Sequence, residues 1–248
     1  MIKILKFSNG SGYNKLTNFL DQRRNSNNTD VDLVNKIIND VKKNKLKALK
    51  KYEKKYSKNK EIKLSKKKIN NSIKYLDQNV KKAIDYAYER IFKFHKLQIK
   101  NFKKIKFVDK YKNKLEYKSI PIDSVGVYVP GNLPSTLLMN CIPAKIAGVR
   151  RIILATPKIN NTLNPAVLYA AKKLGIKEIF SMGGAQAIAS LAFIQKVNKV
   201  VGPGNKYVAE AKRQLSGKII GTETMYAGAS EICILADKDS DISQVATS

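Results

Sequence analysis

Residues 179–208, IFSMGGAQAIASLAFIQKVNKVVGPGNKYV, decide the fold of this chain. Twice in succession an apolar run ends in a glycine turn, and each turn opens a helical pattern that contains alanine. The first turn, at residues 183–184, is followed by Gln186, and the second, at residues 202–204, is followed by Asn205. This order of strand, glycine turn and helix is typical of a parallel sheet that presents backbone N–H groups and a helix N-terminus to an anionic ligand.

The same alternation of strand and helix fills residues 122–221. Four apolar segments, SVGVYVPG, RRIILATP, EIFSMGG and KVVGPG, each end in turn residues and are each followed by a helical pattern. Apolar strands that alternate with helices predict a parallel sheet with helices on both faces. The carboxyl ends of the four strands then share one edge, where ligands of open α/β sheets bind. We therefore predict a complete Rossmann-like α/β domain over residues 122–221.

The segments on either side of this domain predict an incomplete second α/β domain. Residues 1–30 are polar and are interpreted as a lead-in that ends in a flexible joint. Residues 31–121 contain three helical patterns and a hairpin. The first pattern is one helix that runs to Tyr56, the second begins near Ser65, the third follows Asp77, and the hairpin covers residues 105–120. Residues 222–248 contain a return strand, EICILAD, and the start of a helix that the chain end interrupts.

The charge of the chain is strongly positive and uneven. The chain has 48 Lys and Arg against 19 Asp and Glu, a formal net charge of +29. Residues 1–120 hold 34 basic and 11 acidic side chains, which is a net charge of +23. One interpretation is a nucleic-acid-binding half, and the other is a solvated helical surface made mostly of Lys. We favour the second, because Lys reads bases less well than Arg and no zinc-finger spacing or aromatic RNA-binding motif is present. Nonspecific binding of polyanions at low salt is still expected.

The sequence contains few of the residues that common catalytic sites require. The sequence has no Walker-type phosphate loop, no paired Cys/His metal spacing and no GxSxG elbow. Its single histidine, His95, has Gln98 one turn later and is predicted to be a structural, hydrogen-bonded residue. Cys141 and Cys233 lie in apolar runs and are predicted to be buried thiols of a reducing compartment. No apolar run is long enough for a membrane span and the first residues lack a leader pattern, so we expect a cytoplasmic protein without a membrane partner.

Each glycine turn has two interpretations. The turn at 202–204 has two of the three glycines of a dinucleotide fingerprint, and Tyr207 stands where the third would be. A single turn of this kind is more often a tight loop than a ligand site, but two consecutive turns that are followed by amide side chains favour ligand binding. An amide offers both a donor and an acceptor, which suits a nucleotide. Tyr128, before the turn of the first unit, is either a stacking face or a core residue.

The order of the motifs carries a more specific signal. SVGVYVPG, PSTLLMNCIPAKIAGVRRI, FSMGGAQAIASLAF, GPGNKYVAEAKRQLSG and AGASEICILAD follow one another along the chain. In this combination the sequence closely resembles the histidinol dehydrogenase family, essentially from Val31 to the last residue. The resemblance implies oxidation of L-histidinol to L-histidine, the last step of histidine biosynthesis, with reduction of two NAD. It also implies zinc-dependent cytoplasmic homodimers with two Rossmann-like domains.

The resemblance also implies roles for particular residues. Tyr128, Gln186 and Asn205 would contact NAD, and Ser230 of AGASE would contact the substrate. The family's zinc ligands and its Glu–His acid/base pair would follow residue 248, so the chain looks C-terminally truncated. We therefore expect neither a zinc site nor turnover from this chain alone, whereas a second chain with the C-terminal part could restore a split enzyme. The alternatives are a non-catalytic basic module that binds nucleic acid or another polyanion, and a decaying gene product that folds poorly.

Overall fold

The structure is a computed structural model that describes residues 12–26, 31–99, 104–159, 161–223, 236–237, 239–241 and 243 of the chain. Within these ranges the helices are α1 Gly12–Ser26, α2 Val31–Ser57, α3 Lys66–Lys74, α4 Gln78–Gln98, α5 Pro134–Ile146, α6 Pro165–Lys173, α7 Gly184–Phe193 and α8 Lys206–Leu215. The strands are β1 Ile105–Val108, β2 Lys114–Tyr117, β3 Ser124–Tyr128, β4 Arg151–Thr156, β5 Glu178–Ser181, β6 Lys199–Val201 and β7 Gly221–Thr222.

The centre of the molecule is a parallel sheet of five strands in the order β5-β4-β3-β6-β7. Strands β3 to β6 and helices α5 to α8 are the four predicted strand–helix units, so the predicted α/β class with a Rossmann-like parallel sheet is confirmed. The hairpin is confirmed as well, with Ile105 of β1 opposite Tyr117 of β2 in an antiparallel pair. Strand β7, a two-residue strand beside β6, was not predicted.

Helices cover both faces of this sheet, as the apolar strands require. Helices α2, α7 and α8 share one buried core with the sheet, and helices α3 to α6 share the other. Successive residues of β3 alternate between the two cores, because side chains of a strand point to opposite faces. Val125 and Val127 belong to the core under α5 and α6. A Cβ on Gly126, between them, would lie 2.9 Å from Leu191 of α7, so the glycine lets α7 approach the sheet closely.

Helix α2 is broken at Lys45, which has φ 47° and ψ −125°. The Tyr52 hydroxyl donates to Asp40 Oδ2 across 2.9 Å, although twelve residues of straight helix would separate the two by about 18 Å. Hydrogen bonds from Asn44, Lys51 and Tyr52 together lower the pKa of Asp40 to about 2. The prediction of one helix to Tyr56 is therefore wrong. The apolar pattern continues across the break because both segments of α2 bury their apolar faces in the same core.

The start of the chain also differs from the prediction, since helix α1 occupies residues 12–26 where a lead-in and a flexible joint were expected. Its few apolar residues, Tyr13, Leu16, Phe19 and Leu20, recur at helical spacing only in the first half, and residues 21–26 are all polar, so the periodicity is too short to identify the helix. The predicted starts of the next helices are confirmed, because the side chains of Ser65 and Asp77 cap α3 and α4. Residues 231–235 of the EICILAD strand and nearly all of the helix predicted after it lie outside the described residues. None of the described helices could cross a membrane.

Candidate cofactor site

A cavity of about 360 Å³ opens at the edge of the sheet where the strands have their carboxyl ends. The first glycine turn and the residues that follow the second contribute to its wall, and so do the end of β3, the turn after β4 and both segments of α2. The lining residues are Leu33, Ile37, Tyr56 and Ser57 from α2, Tyr128 and Pro157 from the turns of the first two units, Gly183, Gly184, Ala185 and Gln186 from the third, and Asn205 and Tyr207 from the fourth. The site therefore joins the helical part of the chain to the sheet.

The structure brings all three residues of the expected NAD site into this one cavity. Tyr128 is the last residue of β3, Gln186 lies in the first turn of α7 behind β5, and Asn205 precedes α8 behind β6. They come from the ends of three different strands, which the parallel topology places at one edge. Ser230, the expected substrate contact, lies outside the described residues.

Asn205 is the N-cap of α8. Its Oδ1 accepts the backbone N–H of Val208 at 3.1 Å, which satisfies one of the N–H groups that a helix start leaves without a partner in its own backbone. The cap uses the side-chain oxygen, so the Nδ2 amide is the end of this side chain that can donate to a ligand. A Cβ on the preceding Gly204 would lie 2.2 Å from the Val208 side chain, so this position has room only for glycine.

Tyr128 belongs both to the core and to the cavity wall, so its interpretation as a core residue is confirmed, whereas stacking on a ligand stays a prediction. Its side chain is buried, and burial raises the pKa of its hydroxyl to about 12. Gly202 of the second turn packs directly on the Tyr128 backbone. A Cβ at Gly202 would lie 2.0 Å from the Tyr128 carbonyl oxygen, and its φ of +103° is one that L side chains rarely adopt.

Glu53 is a buried carboxylate beside the first turn, and it was missed at the level of sequence. It lies on the second segment of α2 and is only 1% exposed. Its Oε1 accepts the Gly183 N–H at 2.9 Å and the Gln186 Nε2 at 2.9 Å. Burial raises the pKa of Glu53 above its usual value, and these two hydrogen bonds lower it again in part. A signal was present, because Glu53 falls at helical spacing from Leu49, on a stripe that is otherwise apolar.

A second buried polar contact supports the turn at 202–204. Lys212 of α8 is 5% exposed, and its Nζ donates to the Gly202 carbonyl and to the Glu223 carboxylate beyond β7. A buried lysine needs such partners, because an unpaired charge in the core is costly. Lys212 thus ties the turn to the helix that it opens and to the edge of the sheet.

The sequence of the chain is similar to that of a known enzyme family. The family model described as "Histidinol dehydrogenase" matches residues 20–248. The chain belongs to the histidinol dehydrogenase family. A histidinol dehydrogenase of Pelagibacter ubique is 51% identical over 254 residues, which cover 100% of this chain and 59% of that protein. One from Thermococcus kodakarensis is 38% identical over 85% of this chain and 56% of its own length.

A solved structure supports the same assignment. The crystal structure of histidinol dehydrogenase from Elizabethkingia anophelis superposes with a TM-score of 0.73 at 36% sequence identity. The match covers 79% of this chain and 47% of that one. The chain therefore spans about half to three fifths of the length of these histidinol dehydrogenases. The resemblance expected from the motifs is confirmed.

The zinc of histidinol dehydrogenases does not fit the described residues. No group of three or more His, Cys, Asp or Glu side chains there could hold a metal ion. His95 is partly exposed on α4, and its Nδ1 lies 2.7 Å from Gln98 Oε1, so its prediction as a hydrogen-bonded structural residue is confirmed. Cys141 is buried as predicted, and burial raises the pKa of its thiol to about 12. Cys233 lies outside the described residues.

The arrangement suits the binding of a nucleotide. The cavity offers an aromatic ring at Tyr128, amide groups at Gln186 and Asn205, and apolar side chains from α2. A nucleotide needs this mixture of an apolar surface and a few convergent hydrogen-bonding groups. The cavity in the described part of this histidinol dehydrogenase family member therefore has the character of a nucleotide site, whereas the described residues do not fit zinc.

Proposed function

We propose that this chain carries the NAD-binding part of a histidinol dehydrogenase that oxidises L-histidinol to L-histidine, the last step of histidine biosynthesis. The observation that carries the proposal is the convergence of Tyr128, Gln186 and Asn205 from three strand ends in one cavity. These are the three residues for which the family resemblance implies NAD contacts. Membership of the family supports the reaction, and the cavity supports the cofactor.

In this proposal the chain binds and orients NAD, which accepts a hydride from the alcohol and then from the aldehyde. Tyr128 offers an aromatic face, and its buried position keeps its hydroxyl protonated throughout the neutral range. Gln186 and Asn205 supply the hydrogen bonds that fix the orientation of the nucleotide. The apolar side chains Leu33 and Ile37 of α2 exclude water from one side of the cavity.

The zinc ligands, the acid/base pair and most of the substrate contacts belong, in this proposal, to the part of the family's length that the chain does not span. Ser230 is the substrate contact that we assign to this chain. The active form would be a cytoplasmic homodimer that contains both parts, supplied either by one chain or by a complementing C-terminal chain.

The NAD assignment can be tested with two asparagines that have the same structural role. Asn205 caps α8 in the cavity, and Asn164 caps α6 by accepting the Ala166 N–H at 2.8 Å. Asn205→Ala and Asn164→Ala should each lower the free energy of unfolding by about 1 kcal/mol through loss of a cap. Only Asn205→Ala should weaken NAD binding, by about 2- to 10-fold for one hydrogen bond to a neutral group.

Calorimetric titration of NAD into the 248-residue chain and both variants measures the effect, with urea unfolding as the stability measurement. Equal weakening by both substitutions would show that Asn205 acts only as a cap, and an absence of NAD binding to the unsubstituted chain would refute the cofactor proposal. Histidinol-dependent NADH formation, measured with and without an added C-terminal part and zinc, tests the reaction separately.

A further inference from the structure

The N-terminus of helix α7 already carries a negatively charged group of the protein. In a Rossmann-like unit the backbone N–H groups at this position are the ones that bind a ligand phosphate. Here the Gly183 N–H donates to Glu53 Oε1 at 2.9 Å. The N–H of the first glycine of this turn therefore has its partner within the chain.

The partner of the Gly183 N–H is the Glu53 carboxylate, whose burial there costs folding free energy. Glu53 is 1% exposed, and its second oxygen, Oε2, is buried without a hydrogen-bond partner. Burial of an acid with one unpaired oxygen is unfavourable unless a positive potential compensates for it. The partial positive charge at the start of α7 supplies that potential, so the carboxylate takes the position of a bound anion.

The same carboxylate determines the orientation of the Gln186 amide. A carboxylate only accepts hydrogen bonds, so the end of Gln186 that lies 2.9 Å from Glu53 Oε1 must be the donor Nε2. The carbonyl Oε1 then becomes the end available to the cavity. It lies 2.8 Å from the position that a Cβ on Gly184 would take, so the glycine keeps room for this oxygen.

We propose that Glu53 is a positioning residue of the cofactor cavity, whose carboxylate replaces a ligand phosphate at the first glycine turn and turns Gln186 so that its carbonyl oxygen is the end presented to the cavity. The proposal rests on the proposed function in one respect, namely that the cavity binds NAD. A hydroxyl or amino group of the cofactor then donates to Gln186 Oε1. The pyrophosphate stays away from the first turn, because Glu53 would repel it.

The first arm of the test does not depend on NAD. In nitrogen-edited NMR spectra of the chain, the Gly183 N–H and the Gln186 side-chain NH₂ should shift together with pH, with one midpoint above that of an ordinary glutamate. Glu53→Gln should abolish this shared titration. Glu210→Gln, which changes another buried glutamate outside the cavity, should leave it intact. Signals that do not titrate together, or that still titrate in Glu53→Gln, overturn the proposal.

The second arm uses inorganic pyrophosphate as the probe, with the Gly183 N–H shift as the local readout. Removal of the charge in Glu53→Gln should strengthen pyrophosphate binding at this turn about tenfold relative to the unsubstituted chain and to Glu210→Gln. If Glu53→Gln binds pyrophosphate no better than Glu210→Gln, the phosphate-replacing role is wrong. Thermal unfolding of each variant verifies that the fold is retained.

The third arm tests the orientation of Gln186 by rescue. Gln186→Glu sets two carboxylates against each other and should weaken NAD binding at least tenfold. Combining it with Glu53→Gln restores a donor–acceptor pair and should recover at least threefold of that loss, whereas a double variant that binds NAD no better than Gln186→Glu refutes the positioning role. If the first two arms succeed and the unsubstituted chain does not bind NAD, the proposed function fails while the phosphate-replacing role of Glu53 stands.

Discussion

At the scale of single residues, two buried glutamates show how the surroundings of a carboxylate determine whether its ionisation stabilises or destabilises the fold. Glu53 has hydrogen-bond donors but no cation, and burial raises its pKa. Glu210 of α8 is paired with Arg213, whose hydrogen bonds lower the pKa of this carboxyl. Ionisation of Glu53 therefore costs folding free energy, whereas ionisation of Glu210 supplies it.

The free energy of unfolding should show these opposite signs as a function of pH. The folded chain holds the Glu53 proton to a higher pH than the unfolded chain, so this contribution falls as pH rises from the usual carboxyl range through the raised pKa. Glu53→Gln removes the ionisable group, so the variant should keep its unfolding free energy and become more stable than the unsubstituted chain over this pH range. Urea unfolding at a series of pH values is the measurement. A constant difference between the two proteins across the window would contradict the prediction.

Glu210→Gln is the matched control with the opposite expectation. The stability that ionised Glu210 contributes is present above the usual carboxyl pKa and is lost as pH falls through the lowered pKa. Glu210→Gln should therefore be less stable than the unsubstituted chain near neutral pH, and the difference should shrink in acid. The same urea series measures both variants.

At the scale of elements, the two glycine turns differ in what they pack against. The first turn contacts the helical part of the chain through Glu53, whereas the second is pressed onto β3, with Gly202 against the Tyr128 carbonyl. Lys212 holds this second turn in place through its hydrogen bond to the Gly202 carbonyl. The position of Asn205 in the cavity therefore depends on the fit between one strand end and one turn.

Two glycines with positive φ allow the cost of the close contact at the second turn to be distinguished from the cost of a left-handed backbone conformation. Gly202 has φ +103° and no room for a Cβ, whereas Gly217, after α8, has φ +70° and nothing within 4 Å of a Cβ. Gly217→Ala should cost about 1–2 kcal/mol of unfolding free energy through the left-handed conformation alone. Gly202→Ala should cost at least about 3 kcal/mol, because the β6 turn must move away from Tyr128.

Denaturant unfolding measures both stabilities, and NAD titration reports the cavity. Gly202→Ala should lose NAD binding because Asn205 moves with the turn, whereas Gly217→Ala should keep it. Equal effects of the two substitutions on stability would show that the close contact at Gly202 can relax, and would refute this account of the turn.

At the scale of the whole molecule, the positive charge is concentrated in the half of the chain whose helices enclose the sheet. In the described residues many of its lysines lie on the surface, and Lys42 and Lys45 of α2 lie 5.9 and 5.7 Å from the centre of the Phe193 ring. Exposed lysines of this kind create a long-range field rather than a shaped site. The cavity, by contrast, is built from neutral amides and apolar side chains.

The dependence on salt should therefore distinguish nonspecific binding of DNA from binding of NAD. Binding of a labelled random DNA duplex should be measurable at low salt and should weaken steeply as salt increases, with a slope of about 0.9 in log–log units for each phosphate contact. NAD binding should depend much less on salt. Fluorescence anisotropy and calorimetry over one salt series measure the two. Sequence-selective DNA binding that persists at physiological salt, together with no NAD binding, would favour the alternative of a basic nucleic-acid module.

The fold and the cavity residues could be predicted because they depend on local patterns. Apolar strands followed by glycine turns and helices indicated the parallel sheet, and the topology of such a sheet brings Tyr128, Gln186 and Asn205 to one edge. The break at Lys45 could not be predicted from the sequence, because the apolar residues of both segments of α2 keep the spacing of a single helix. The domain boundaries at residues 30, 121 and 221 and the roles of the site residues stay predictions.

The sequence by itself determined the order of the four strand–helix units, the edge of the sheet that forms the cavity and the family to which the chain belongs. Only the tertiary structure decided what surrounds the first glycine turn. Glu53 is 130 residues from Gly183 along the chain, and no local pattern could place its carboxylate against that N–H. Packing of α2 onto α7 brings the two together, and burial then makes their pairing obligatory, because water can no longer satisfy either group.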